Sequence, residues 1–164
     1  KPNQFDLMHY IKLRGTCFVS QACIPHLKKS SNAHIITLSP PINLAPKWLK
    51  NHVAYTMAKY NMTMIALGLS EELKKYKIAS NSLWPKTTIA TAAVQNLLGG
   101  DTLIKMSRHT EIIADAVYYI VSKSSAECTG NSFIDEELLA TEGITDLSQY
   151  AVTPGGKLYQ DLFL

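Results

Sequence analysis

The chain has 164 residues, of which 46% are hydrophobic and 18% charged; this excludes a disordered tail and fits one globular domain or most of one. Sixteen Lys and Arg against thirteen Asp and Glu leave a formal charge of +3 spread along the sequence, so neither nucleic acid nor an acidic membrane surface is called for. Cys17, Cys23 and Cys128 form no CxxC pair and are odd in number, which argues against a disulfide framework or a cysteine-based zinc site. They read as reduced thiols, mostly buried. No apolar run approaches the roughly 18 residues that span a bilayer, and no secretory signal opens the sequence. A soluble intracellular protein is expected, cytoplasmic first, with peroxisome or mitochondrion as the other compartments.

In chain order, Asp6 to Lys29 places Leu7, Met8, Ile11, Phe18, Ala22 and Leu27 mostly at helical spacing and closes on Lys28 and Lys29, as a helix carboxyl end prefers. His34 to Ser39 is a short β-branched run stopped by Pro40 and Pro41, and reads as a buried strand. After a loop with Pro46, Asn51 to Lys75 is a long helix with apolar residues on two sides, Val53, Met57, Tyr60 and Met64 on one and Ala54, Ala58 and Ile65 on another. Such a helix is expected to be buried on two faces, one of them against a second subunit. Lys77 to Trp84 reads as a strand ended by Pro85, and Thr88 to Leu98 as a helix stopped by Gly99 and Gly100. Asp101 to Ser107 is weakly helical, and Thr110 caps a helix through Val121. Gly130 to Ile134 looks like a last strand, followed by a solvated acidic run, Asp135 to Glu137. Ile144 to Leu164 reads as an ordered loop laid over the domain.

Strands separated by helices imply crossover connections and a parallel sheet. The fold class is therefore α/β, a doubly wound, Rossmann-like parallel sheet of which only the carboxyl-terminal half is represented. Residues 1–143 are the carboxyl-terminal part of one such domain and 144–164 its tail.

The long helix carries Tyr55 and Lys59, four residues apart and so on one face. An ammonium beside a phenol favours the phenolate, which is how a Tyr becomes a general acid or base near neutrality. In a doubly wound sheet ligands gather beyond the carboxyl ends of the strands, so Ser39, Tyr55 and the Pro85 to Thr91 segment are expected to share one crevice. The stretches Ala22 to Lys29 (ACIPHLKK), Leu38 to Leu44 (LSPPINL), Ala54 to Tyr60 (AYTMAKY) and Leu83 to Ala92 (LWPKTTIATA) resemble the short-chain dehydrogenase/reductase family, in its hydroxysteroid dehydrogenase-like branch, over nearly the whole chain.

The resemblance implies an oxidoreductase that moves hydride between a nicotinamide cofactor, NADP or NAD with NADP slightly favoured, and an alcohol or ketone that is hydrophobic or lipid-like. It implies that Tyr55 gives or takes the proton, that Lys59 supports it and holds the nicotinamide ribose, and that Ser39 polarises the substrate oxygen. Cofactor contacts fall to Tyr55, Lys59, Pro85, Thr88, Ile89 through its backbone and Thr91 through its hydroxyl. The alternative is a catalytically impaired paralogue serving as a binding or scaffold subunit. Either form is expected to be a homodimer or homotetramer built on the long helices, without nucleic acid or membrane span.

Three positions depart from the family pattern. Ser39 lies sixteen residues before Tyr55 and is followed by Pro40; Lys86 stands where the family has Gly; and Lys12 stands where it has an Asn that kinks the first helix and holds a proton-relay water. A Lys12 pointing inward would crowd the site with a second ammonium, and one pointing outward would leave the relay partly working. The family's glycine-rich phosphate loop has no counterpart in the chain, so it is expected to precede Lys1. His9, His26, His34, His52 and His109 show no ligand spacing, and no metal is assigned.

Overall fold

The computed structural model describes residues 1–164. It contains α1 (Pro2–His9), a π-helical turn (Tyr10–Arg14), α2 (Gly15–Leu27), β1 (Ala33–Leu38), α3 (Val53–Glu72), β2 (Ile78–Trp84), α4 (Gly100–Lys105), α5 (Glu111–Ser122), β3 (Ser132–Ile134) and α6 (Asp135–Thr141). The three strands form one sheet in the order β1, β2, β3. β1 and β2 are parallel, from Ala33 opposite Ile78 to Leu38 opposite Leu83. This is the expected α/β arrangement with a crossover helix between strands. No helix is long and apolar enough to cross a membrane.

The chain divides into two compact units. The first comprises residues 1–84, 121–133 and 163. In it every residue of β2 is buried, as a strand covered on both faces should be. α3 packs on β1 and β2, and its Ala58 and Ala66 are fully buried. A smaller apolar cluster of Ala33, Leu73 and Ile78 gathers Ile24, Leu27, Ile35 and Leu69 at the other end of the strands.

The second unit comprises residues 85–120, 134–162 and 164. Its core joins Ile112, Leu139 and Tyr150, with Ile89, Ile113, Tyr119, Ile144 and Leu147 packed around them. Two expectations fail here. The helix expected from Thr88 begins only at residue 92, because Thr87 and Ile89 are held extended, in bridges to Gln160 and Arg108, and Val94–Leu98 winds as a π-helical turn. The acidic run is not solvated: Asp135 is fully buried and opens α6, accepting the backbone N–H groups of Lys86 and Glu136, both at 2.7 Å. Glu136 reaches the buried Arg108 at 2.9 Å, and Glu137 reaches Lys86 at 3.2 Å. The thiols differ as well, since Cys17 and Cys23 are exposed on α2 and only Cys128 is buried.

Burial pushes the Asp135 carboxyl from 3.8 up to about 6, against the pull of the two amide donors and of Arg108. Since the folded form holds its proton to higher pH than the unfolded chain, stability from this group is greatest below about pH 4 and is lost as pH rises through 6. The displacement corresponds to about 3 kcal/mol at most. Asp135→Asn removes that dependence while keeping one acceptor for both amides. Urea unfolding at pH 4.5 and pH 8 should therefore show the wild type losing ground to the variant at the higher pH, and a gap that does not move with pH would refute this.

Candidate active site

Past the end of β1, residues 39–48 contain three prolines and form no strand, so the carbonyls from Leu38 onward need partners from elsewhere. A stripe on α3 supplies them. Thr56 donates to the Trp48 carbonyl at 2.6 Å, Lys59 to that of Leu38 at 2.8 Å, Tyr60 to that of Asn43 at 2.6 Å and Thr63 to that of Pro40 at 2.6 Å. Positions 56, 59, 60 and 63 lie along one helical face, which is why one helix can hold the whole segment. The pattern is visible in the sequence as four polar residues on the buried side of an apolar helix, a signal that sequence reasoning passed over.

The Lys59 ammonium is thereby fixed at the carboxyl end of β1 and also lies 4.8 Å from the centre of the Trp84 ring, at the end of β2. Its side chain is buried, a position a cation keeps only with such acceptors around it. Ser39, the residue after Leu38, is completely buried, and its Oγ has no hydrogen-bond partner. A buried hydroxyl without a partner is costly, and a catalytic role is one of the reasons a fold keeps one.

Tyr55 is half-buried, one turn before Lys59 on α3. Its ring stacks on Phe163, with centroids 6.3 Å apart and planes 16° from parallel. Phe163 is the centre of an aromatic group: Tyr60 lies at 5.2 Å, Trp48 and Trp84 each at 5.9 Å and His52 at 6.5 Å. The Trp48 and Trp84 rings thus pack on Phe163, whereas Leu49 and Met57 remain exposed. Burial raises the Tyr60 hydroxyl above the ordinary phenol range, so Tyr60 stays a neutral donor to Asn43. Lys12 points inward: its ammonium lies 5.5 Å from the centre of the Tyr55 ring. The helix departs from α geometry at the π-helical turn that carries Lys12.

The first unit thus brings Ser39, Tyr55 and Lys59 into one neighbourhood with Lys12 and Phe163. The other four expected residues belong to the second unit and are described there. Pro85 is half-buried. Thr88 is buried, and its hydroxyl shares a hydrogen bond with that of Ser107 at 2.8 Å. Ile89 bridges Arg108 in parallel, with the hydrogen bonds carried by Thr88 and Ala90, so the N–H and C=O of Ile89 itself face the other way. Thr91 is exposed, and its hydroxyl accepts from the Val94 N–H at 3.4 Å, a cap on the helical turn that follows. Thr87, which sequence reasoning left out of the site, is buried with an unpartnered hydroxyl.

The profile of a family described as enoyl-(acyl carrier protein) reductase matches residues 1–135. Hydroxysteroid dehydrogenase-like protein 2 of Xenopus laevis is 57% identical over 159 residues, 97% of this chain and 37% of that protein. Among solved structures, a proposed dehydrogenase from Xanthomonas campestris superposes with a TM-score of 0.93 at 44% identity, covering 100% of this chain and 60% of that one. A short chain dehydrogenase from Mycobacterium thermoresistibile gives 0.90 at 55% identity, covering 99% of this chain and 57% of that one. The chain therefore spans well under half the length of the curated relative it matches.

Proposed function

The chain belongs to the short-chain dehydrogenase/reductase family, and from that premise we propose that the protein it represents is an oxidoreductase acting with NADP or NAD on an alcohol or ketone with a hydrophobic, lipid-like substituent. The observation that carries the reading is the meeting, at the carboxyl end of β1, of the buried Lys59 ammonium and the buried, unpartnered Ser39 hydroxyl. Ligands of open α/β sheets bind at that end.

In the reduction direction Tyr55 donates the proton that the substrate oxygen takes up, and Ser39 donates a hydrogen bond to the same oxygen as charge develops on it. Lys59 stands one turn away, and its positive charge favours the phenolate that Tyr55 becomes. A nicotinamide nucleotide, when bound, supplies or accepts the hydride. In the first unit Lys59 offers an ammonium suited to ribose hydroxyls; in the second, Ile89 has a backbone N–H and C=O turned out of its bridge, which the family likeness assigns to the carboxamide. Pro85, Thr88 and Thr91 are assigned to the cofactor on the family likeness.

Assembly as a homodimer or homotetramer belongs to this reading. It is supported by exposed apolar side chains on α2 and α3, among them Phe18 at 52%, Val19 at 64%, Val53 at 53% and Met64 at 59%. The second reading, a non-catalytic subunit that keeps the fold, draws on Lys12 beside Tyr55. The deciding experiment is an assay of the full-length protein with each nucleotide against a panel of hydrophobic ketones. Nucleotide oxidation that falls about 10²-fold in Ser39→Ala supports the enzyme. Nucleotide binding without turnover across the panel supports the second reading.

A further inference from the structure

We propose that Lys12 is a positioning residue for Tyr55, its ammonium lying against the phenol ring so as to hold the side chain and favour its ionised form. The inference rests on the reading of Tyr55 as the proton-transferring group. Four observations carry it. Lys12 sits on the π-helical turn Tyr10–Arg14, where one extra residue per turn rotates side chains out of α-helical register; such turns concentrate at functional positions. The turn packs on α3, the helix that bears Tyr55. The Lys12 side chain is partly buried and no carboxylate pairs with it, so no local anion explains its inward course. Its ammonium stands 5.5 Å from the ring centroid, inside the distance at which a cation is attracted to an aromatic face.

An ammonium over a phenol acts more strongly on the phenolate, because ionisation puts a full negative charge where there was only a ring quadrupole. The effect on the phenol grows as water is excluded from between the two groups. Lys59 lies one turn along the same helix as Tyr55, His52 precedes that helix and sits edge-on to Phe163, and Phe163, stacked on the Tyr55 ring, carries no charge. His9 of α1 is turned away onto Phe5, with rings 4.1 Å apart. Two cations from two different helices therefore bear on one phenol. Lys59 is anchored to the Leu38 carbonyl, and Lys12 approaches the ring itself.

The test reads the phenol directly and needs no turnover. Full-length protein carrying 3-fluorotyrosine at position 55 is titrated by fluorine NMR, as wild type and as Lys12→Met, Lys12→Gln and Lys12→Arg, with circular dichroism to check folding. The proposal expects the apparent pKa of residue 55 to rise by about half a unit or more in the two neutral variants and to stay near wild type in Lys12→Arg. A titration unmoved in both neutral variants would overturn it. So would an arginine variant that behaves like them, since only a packing role ignores the charge. The expected shift in a protein without turnover would leave Lys12 as proposed and count against the oxidoreductase reading instead.

Discussion

Tyr55→Phe is expected to lower turnover of hydrophobic ketones by the full-length protein about 10²–10⁴-fold, the usual worth of a positioned acid or base. The argument is one of atoms: the substitution deletes a single oxygen and leaves the ring, so the stack on Phe163 and the contact with Lys12 keep their shapes. Fold and nucleotide affinity should change little, and the loss should fall on kcat more than on KM. Steady-state assays with a thermal melt of each protein check this. An active Tyr55→Phe would remove the phenol from the chemistry.

The largest stability effect is expected at Phe163. Its side chain is 1% exposed and meets Trp48, His52, Tyr55, Tyr60 and Trp84, so Phe163→Ala opens a cavity that five rings cannot easily refill. Phe to Ala in a core costs about 3–5 kcal/mol. For a domain of this size that is a fall in melting temperature of roughly 6–20 °C. Phe163 also has φ of 77°, a left-handed conformation that a bulky residue adopts only when its surroundings hold it there. Its carbonyl accepts from Asn43 at 3.4 Å, which is part of that hold. A melt unchanged by the substitution would mean that the aromatic group is not a cooperative core.

Much of this was legible because it rests on local pattern. The β-branched run before Pro40, the strand before Pro85 and the broad apolar surface of α3 each declare themselves within ten or twenty residues, and with them the parallel sheet. What escaped depends on distant partners. Asp135 sits in an acidic run that composition reads as solvated, and it is buried because the Lys86 amide, 49 residues away in sequence, needs its acceptor. The three threonines after Pro85 look like a helix start, yet Thr87 and Ile89 are claimed by Gln160 and Arg108. The π-helical turn is invisible to periodicity, since one extra residue merely shifts the phase of the apolar stripe on either side. Phe163 gave no signal at all, because nothing in a tail's own sequence says which ring it will cover.

Of the candidate site, the Tyr55 and Lys59 pair was readable from spacing, and Ser39 from its place after a strand. The inward course of Lys12 was not, since both an inward and an outward lysine satisfy the same pattern.

The most direct measurement is a crystal structure of the full-length protein with a nicotinamide nucleotide and a slow hydrophobic ketone. The account predicts the ketone oxygen within hydrogen-bond distance of both the Tyr55 hydroxyl and Ser39 Oγ, with the Lys59 ammonium on the nucleotide ribose. A ketone bound away from Tyr55, or a Ser39 hydroxyl still without a partner in that complex, would contradict it.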